Sequence, residues 1–433
     1  MKNMIVIKGG RVLDPAGGLD AKKDILISEG RVAKIGDEIV LSKEEQEEAR
    51  IIDADGKIVV PGLIDLHVHL REPGFEWKET VETGTKAMAH GGYTGVCPMP
   101  NTNPATDSPE RIEWLINKAK EVSPIHVYPV GAVTLGQNGC EGTDVKGMKQ
   151  AGAMALSEDG KSVMNSAVYR RAMENAAAND MVVMAHCEDK NLVDGGCINK
   201  GPKSEKLGVK GISNAVEDII TARDIFLAKE TGAKLHLCHI STRDSVKMLE
   251  LAKEEGVAVT GEACPHHFVL CDEDIVERDT NYKMNPPLRS RQDRDAMIDG
   301  LKRGVIDAIS TDHAPHAAEE KAKDITNAPF GIIGSESAFA LSWTYLVRTG
   351  VLTPLELIAK MSTNPARILG ISDRAGAIGE GRPADISIFE VDTPYEIRED
   401  EIFSKSKNTP FIGKTVWGRT VCTICDGKVV YEA

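Results

Sequence analysis

Two textures of hydrophobic and polar residues follow one another along the chain. Over the first sixty residues, short β-branched runs at 4–8, 24–28 and 31–35 are broken by Gly9-Gly10 and Glu29-Gly30, the pattern of strands joined by tight turns. The last sixty repeat it at 384–389, 414–417, 420–425 and 428–431, with Asp426-Gly427 placed to turn a hairpin. Between these ends the pattern changes. Buried-type strand runs at 63–70, 94–99, 126–133, 153–157, 182–186, 234–240, 258–262 and 308–311 alternate with stretches of helical period. In 109–121, Ile112, Leu115, Ile116 and Ala119 share a face, with Ser108 placed to cap and Pro109 in the first turn. In 244–255, Val246, Leu249 and Ala252 face inward and Gly256 marks the stop. Eight strands alternating with helices predict an α/β chain: a (β/α)8 TIM-like barrel over 61–373, with a small β-sandwich domain built from 1–60 and 374–433. Two separate mini-sheets are the weaker alternative, because each has little core of its own.

Composition narrows the class. With 41% hydrophobic and 27% charged residues, the 433-residue chain can bury a large core, which excludes disorder as its main state. A net charge of −14 argues against broad binding to nucleic acid or anionic membrane. No run reaches the ~18 apolar residues of a membrane span, and residues 1–14 alternate too early for a signal peptide. Nine scattered cysteines do not make a secreted disulfide framework, so a cytoplasmic enzyme is expected. No Gly-x-Gly-x-x-Gly follows the first strand, which leaves a dinucleotide fold unsupported.

The chemistry lies at the strand ends. The first barrel strand ends Asp65-Leu66-His67-Val68-His69, and alternation along a strand puts His67 and His69 on one face. Asp159 closes the fourth strand, His186 the fifth, His239 the sixth and Asp312 the eighth. Each position is where a barrel strand hands over to its catalytic loop. Six such side chains exceed the three protein ligands of one catalytic zinc and fit two divalent ions, zinc being the expected metal. A bridge between them must be an anion with two free oxygens, for which Asp159 is the best-placed acid. Water shared by the ions then becomes the nucleophile, and Asp312 can take and return its proton. The class that follows is metal-assisted attack on an amide-like carbonyl.

At this point a resemblance becomes specific. The run Pro61-Gly62-Leu63-Ile64-Asp65-Leu66-His67-Val68-His69-Leu70-Arg71-Glu72-Pro73-Gly74 resembles the signature of the cyclic amidohydrolases, and among them of the dihydroorotases of long bacterial type. Met99-Pro100-Asn101-Thr102-Asn103-Pro104 and Ser310-Thr311-Asp312-His313-Ala314-Pro315-His316 are similar to further motifs of that family. The resemblance implies reversible cyclisation of N-carbamoyl-L-aspartate to L-dihydroorotate in pyrimidine synthesis. It carries the metal ligands onto the same six residues. It puts substrate contacts on His69, Arg71, Asn101, Asn285 and His316, and on the backbone of Phe330 and Gly331. Arg71 would offer a two-pronged fork to the substrate carboxylate that takes no part in the reaction. A homodimer and association with aspartate transcarbamoylase are partners that the resemblance leaves open.

One residue departs from the family pattern: Glu158 stands where an aspartate is usual, and is expected beside the site or exposed. Lys161 is the nearest lysine that could serve as a carboxylated bridge, as in hydantoinases and allantoinases. Arg71 after His-x-His and an aspartate bridge favour a dihydroorotase over those relatives. A non-catalytic relative kept as a structural partner would have lost ligands, and all six are here. His90, His126 and His236 are expected to be structural, with His126 and His236 at strand starts, and His313 to point away from the metals. His266 and His267 end the seventh strand and could stand behind the ligands. Cys422 and Cys425 have redox-pair spacing but fall in a strand, where packing is expected. The charged segment 316–330 reads as a lid over the site.

Overall fold

The computed structural model describes residues 4–433, the Glu44 side chain excepted. The middle of the chain forms the eight parallel strands of a barrel: β1 (Leu63–Val68), β2 (Tyr93–Pro98), β3 in two pieces (His126–Val127 and Val130–Ala132), β4 (Ala155–Ser157), β5 (Val182–Ala185), β6 (Lys234–Leu237), β7 (Val259–Ala263) and β8 (Ala308–Ile309). Successive strands pair in parallel, and a parallel bridge between Val68 and His313 closes the ring. β3 is split at Pro129, which has no N–H to donate. The flanking Tyr128 N–H still reaches the Val96 carbonyl, and the Met154 N–H reaches the Pro129 carbonyl.

Helices fall where the apolar period predicts them. Pro109–Val122 buries Ile112, Leu115 and Ala119. Ser108 occupies the cap position, but its hydroxyl donates to the Glu110 carboxylate and leaves the helix N–H groups uncapped by it. Arg243–Glu254 buries Val246, Leu249 and Ala252, and Thr242 accepts the N–H of Ser245.

Strands from both ends of the chain join in one mixed sheet. Its order runs Lys428–Glu432, Thr415–Cys425, Ile386–Glu396, Ile58–Pro61, Met4–Asp14, Leu19–Ser28 and Arg31–Gly36, with Ala49–Asp53 paired to Met4–Asp14. The link is Ile58–Pro61, antiparallel to Ile386–Glu396 on one side and parallel to Met4–Asp14 on the other. Ile5, Ile7, Ile25, Ile27, Val59, Ile386, Ile388 and Ile424 share one core. Asp426 and Gly427 turn the last hairpin with φ of 48° and 69°, as a type I′ turn requires. The two runs expected at 414–417 and 420–425 are one strand, which passes Gly418 at φ 104°. A Cβ there would stand 3.0 Å from the Phe339 ring, so the missing side chain lets sheet and barrel approach.

Phe389 makes the main aromatic tie across that junction. Fully buried, it stacks on Phe339 with ring centroids 3.7 Å apart and planes 16° off parallel. Phe389→Ala is expected to cost about 3–5 kcal/mol, read as a lowered midpoint in chemical denaturation. A midpoint unchanged from wild type would mean that this contact contributes nothing to the joint.

Candidate active site

The strand ends of β1, β4, β5, β6 and β8 bring the six expected ligands into contact. Asp159, two residues past β4, sits at the centre. Its Oδ1 lies 3.2 Å from His67 Nε2, 3.4 Å from His186 Nδ1 and 3.7 Å from His239 Nε2, while Oδ2 lies 3.5 Å from His69 Nε2. Asp312 Oδ1 is 3.1 Å from His69 Nε2 and 3.6 Å from His67 Nε2. His186 Nδ1 and His239 Nε2 are 2.9 Å apart. Three of the site positions depend on backbone in the left-handed region: Arg71 at φ 63°, His239 at 33° and Asp312 at 47°. Non-glycine residues are held there at a cost, which the surrounding packing must offset.

The electrostatics call for cations. Burial alone pushes the Asp159 carboxyl up, yet His67, His186 and His239 together hold it well below the usual carboxylate range. Asp312 is likewise buried and held well below that range, by the hydrogen bond from His69 and the nearby imidazoles. Against burial, Asp159 and Glu188 lift His186 to about 10. Against burial, Asp159 also raises His67 well above the usual imidazole range, whereas burial and Arg71 lower His69. Both ring nitrogens of His67 and Oδ1 of Asp159 are buried without a hydrogen-bond partner. Such atoms are costly to bury unless something else occupies them. Two overlapping groups could each hold an ion: His67, His69 and Asp312, and His67, Asp159 and His239. Imidazole and carboxylate donors of this kind fit divalent zinc or its neighbours.

All the expected site residues except His67 line one cavity of about 360 Å³, and His67 is buried beneath its floor. Burial lowers Arg71 to about 10, so its guanidinium stays charged. Its Nε donates to the Pro315 carbonyl, which aims the fork. His316 is brought down to about 2 by burial and by the neighbouring Arg71 and Lys78, and its neutral ring donates from Nε2 to the Phe330 carbonyl at 2.7 Å. The Gly331 N–H donates to the Lys283 carbonyl, so the backbone groups expected to meet substrate at 330–331 already have protein partners. Asn101 is also engaged: its Oδ1 lies 2.9 Å from His69 Nδ1, and its Nδ2 donates to Asp159. The 316–330 segment is pinned, because buried Lys321 donates to the carbonyls of Lys283, Pro329 and Gly331.

Glu158 turns away from the cluster. Buried, it accepts the backbone N–H and the hydroxyl of Thr134. Lys161 is exposed on the surface side of this turn. His313 also faces away, accepting N–H groups of Gly334 and Ser335 and approaching buried Glu79. His266 and His267 are buried outside the cavity lining. Cys422 and Cys425 are both free and buried; Cys422 joins the core of the terminal sheet, and the Cys425 thiol faces the Thr94 carbonyl. Sequence reading missed Glu188, which accepts from Asn285 Nδ2 at 2.7 Å and lies 3.4 Å from His186 Nε2. It also missed Asp65, which accepts backbone N–H groups of His67 and Thr311 and so ties β1 to β8. Asp65 stood inside the first motif, but only the fold gives it a partner.

A closed barrel with histidine pairs and aspartates at its C-terminal strand ends defines an amidohydrolase, a hydrolase of cyclic amides. The Dihydro-orotase-like family matches residues 56–245, and the Amidohydrolase family matches 250–431. Dihydroorotases of Geobacillus kaustophilus and Pelotomaculum thermopropionicum are each 47% identical to the chain, over 98% and 99% of it and 98% of their own length. Among solved structures, an L-hydantoinase of Arthrobacter aurescens is 26% identical with a TM-score of 0.88, covering 99% of this chain and 96% of that one. A D-hydantoinase of Thermus sp. is 26% identical with a TM-score of 0.85, covering 99% and 96%. The chain belongs to the dihydroorotase family.

Proposed function

We infer that the chain interconverts N-carbamoyl-L-aspartate and L-dihydroorotate, the ring-closing step of pyrimidine synthesis, in the cytoplasm. No helix among the described residues is long and apolar enough to cross a membrane. The reading gives catalysis to the barrel of 61–373, braced by a β domain of 1–60 and 374–433. The observation that carries it is a half-buried, charged Arg71 in the same cavity as the histidine–aspartate cluster. A cyclic ureide without a free carboxylate has no use for that charge, and dihydroorotate does.

His67, His69, Asp159, His186, His239 and Asp312 would hold two divalent cations, zinc by the chemistry of the donors, with Asp159 as the shared anion. When bound, such ions polarise carbonyl oxygens and acidify water. The protein's own groups do the rest. Arg71 fixes the spectator carboxylate, with Asn101, Asn285 and His316 beside it, and so sets the scissile amide over the cluster. Asp312 moves one proton between the attacking water and the amide nitrogen. The pinned 316–330 segment restricts water on that side.

An assay of dihydroorotate, allantoin and hydantoin side by side tests this reading. Turnover of dihydroorotate far above the other two is expected, and turnover of hydantoin alone would overturn it. Arg71→Lys keeps the charge but loses the planar fork, so affinity for both dihydroorotate and carbamoyl-aspartate should fall. Binding of both as tight as in wild type would show that Arg71 does not hold the carboxylate.

A further inference from the structure

Beneath the cavity floor lies a line of buried polar groups that the reaction does not touch. Glu262, in β7, is fully buried. Its Oε1 is 3.3 Å from His67 Nδ1 and 3.4 Å from the backbone nitrogen of His239. Its Oε2 is 3.0 Å from His236 Nε2 and accepts the Ser310 hydroxyl. His236 Nδ1 is 2.8 Å from Thr260 Oγ1. Three strands of the barrel, β1, β6 and β8, thus send a group or a following residue to one carboxylate on β7. Burying an ion there is expensive, and an apolar side chain would fill the space at less cost.

The protons of this line have one consistent arrangement. A carboxylate only accepts, so His236 presents Nε2–H to Glu262, and its Nδ1 takes the Thr260 hydroxyl proton. His67 Nδ1 lies 3.3 Å from Glu262 Oε1 without a formed hydrogen bond, and this carboxylate favours a proton on Nδ1 once Nε2 is given to a cation. That leaves Nε2, the nitrogen that faces Asp159 and Asp312, to give its lone pair to the cation. We propose that Glu262, held by His236 and Ser310, is a positioning residue that fixes the tautomer and ring plane of His67 and thereby sets how tightly the cluster holds a divalent cation. Through the backbone of His239 it also steadies a second residue of the cluster. His236 then has a role beyond the structural one its place in the strand suggests. The proposal rests on the reading of His67 as a metal ligand.

The test compares wild type, Glu262→Gln and Ser310→Ala, each stripped and titrated with Zn2+ or Co2+ against a chromogenic chelator. Glu262→Gln keeps the size but confronts one of its two imidazole N–H groups with an amide NH2. It should bind the ion about 10–100-fold more weakly and change the visible absorption of bound Co2+. At saturating metal its KM for dihydroorotate should stay within about twofold of wild type while kcat falls, because Arg71 and its neighbours are untouched. Ser310→Ala removes one donor only and should shift the affinity the same way by less, which serves if Glu262→Gln does not fold. Folded variants with wild-type metal affinity and an unchanged Co2+ spectrum would overturn the role of Glu262 and leave the proposed function standing. A wild-type protein that binds no divalent ion would overturn both.

Discussion

Asp312→Asn is expected to slow ring opening and ring closure alike, each by a factor of about 10²–10⁴ or more. Opening needs a group to take a proton from water and pass it to the departing amide nitrogen. Closure needs the same proton carried back as the carbamoyl nitrogen attacks the carboxylate. Microscopic reversibility makes one residue the economical answer, and Asp312 is the acid that the eighth strand end puts into the cavity. Its carboxyl is held ionised by His69 and the surrounding imidazoles, so it starts as a base. Closure also consumes a proton overall, since a dianion becomes a monoanion. Cyclisation should therefore be favoured at lower pH and opening at higher pH. Rates in both directions, measured with metal content on the same samples, check this. A variant that lost only hydrolysis, with cyclisation and metals intact, would falsify the shared-base assignment.

Exhaustive chelation should lower activity by at least about three orders of magnitude, because polarising the carbonyl and acidifying water are each worth several kcal/mol. Elemental analysis of protein prepared without chelator should give about two divalent ions per chain, and titrating metal back should restore rate in step with occupancy. The basis is the buried Nε2 of His67 and Oδ1 of Asp159, which no protein group satisfies. Full activity at one ion per chain would remove the two-ion arrangement and leave Asp159 an ordinary ligand.

What was legible in the sequence follows from how each residue is held. His67, His69, Asp159, His186, His239 and Asp312 could be read because strand alternation and position at a strand end are local properties. Arg71 and Asn101 needed the family motifs, since a loop position says little about direction. Glu262 and Glu188 were missed because their meaning lies wholly in partners remote in sequence, such as Asn285 and Ser310. In the fold, Ile58–Pro61 escaped notice because it is only four residues long and Gly62 alone separates it from β1. Ser108 was placed correctly as a cap position, but competition from Glu110 decided where its hydroxyl points.

The seat of Ile58–Pro61 also matters while the protein is being made. One flank can pair with Met4–Asp14 as soon as both leave the ribosome, but the other must wait for Ile386–Glu396, about 320 residues later. At roughly 5–20 residues per second that is on the order of 15–65 s. Throughout, the nascent chain carries an open, β-branched sheet edge, the kind that recruits other strands. The barrel is synthesised inside this interval, so the enzyme's yield in a cell is tied to how well chaperones shield its N-terminal strands until the C-terminal strands arrive.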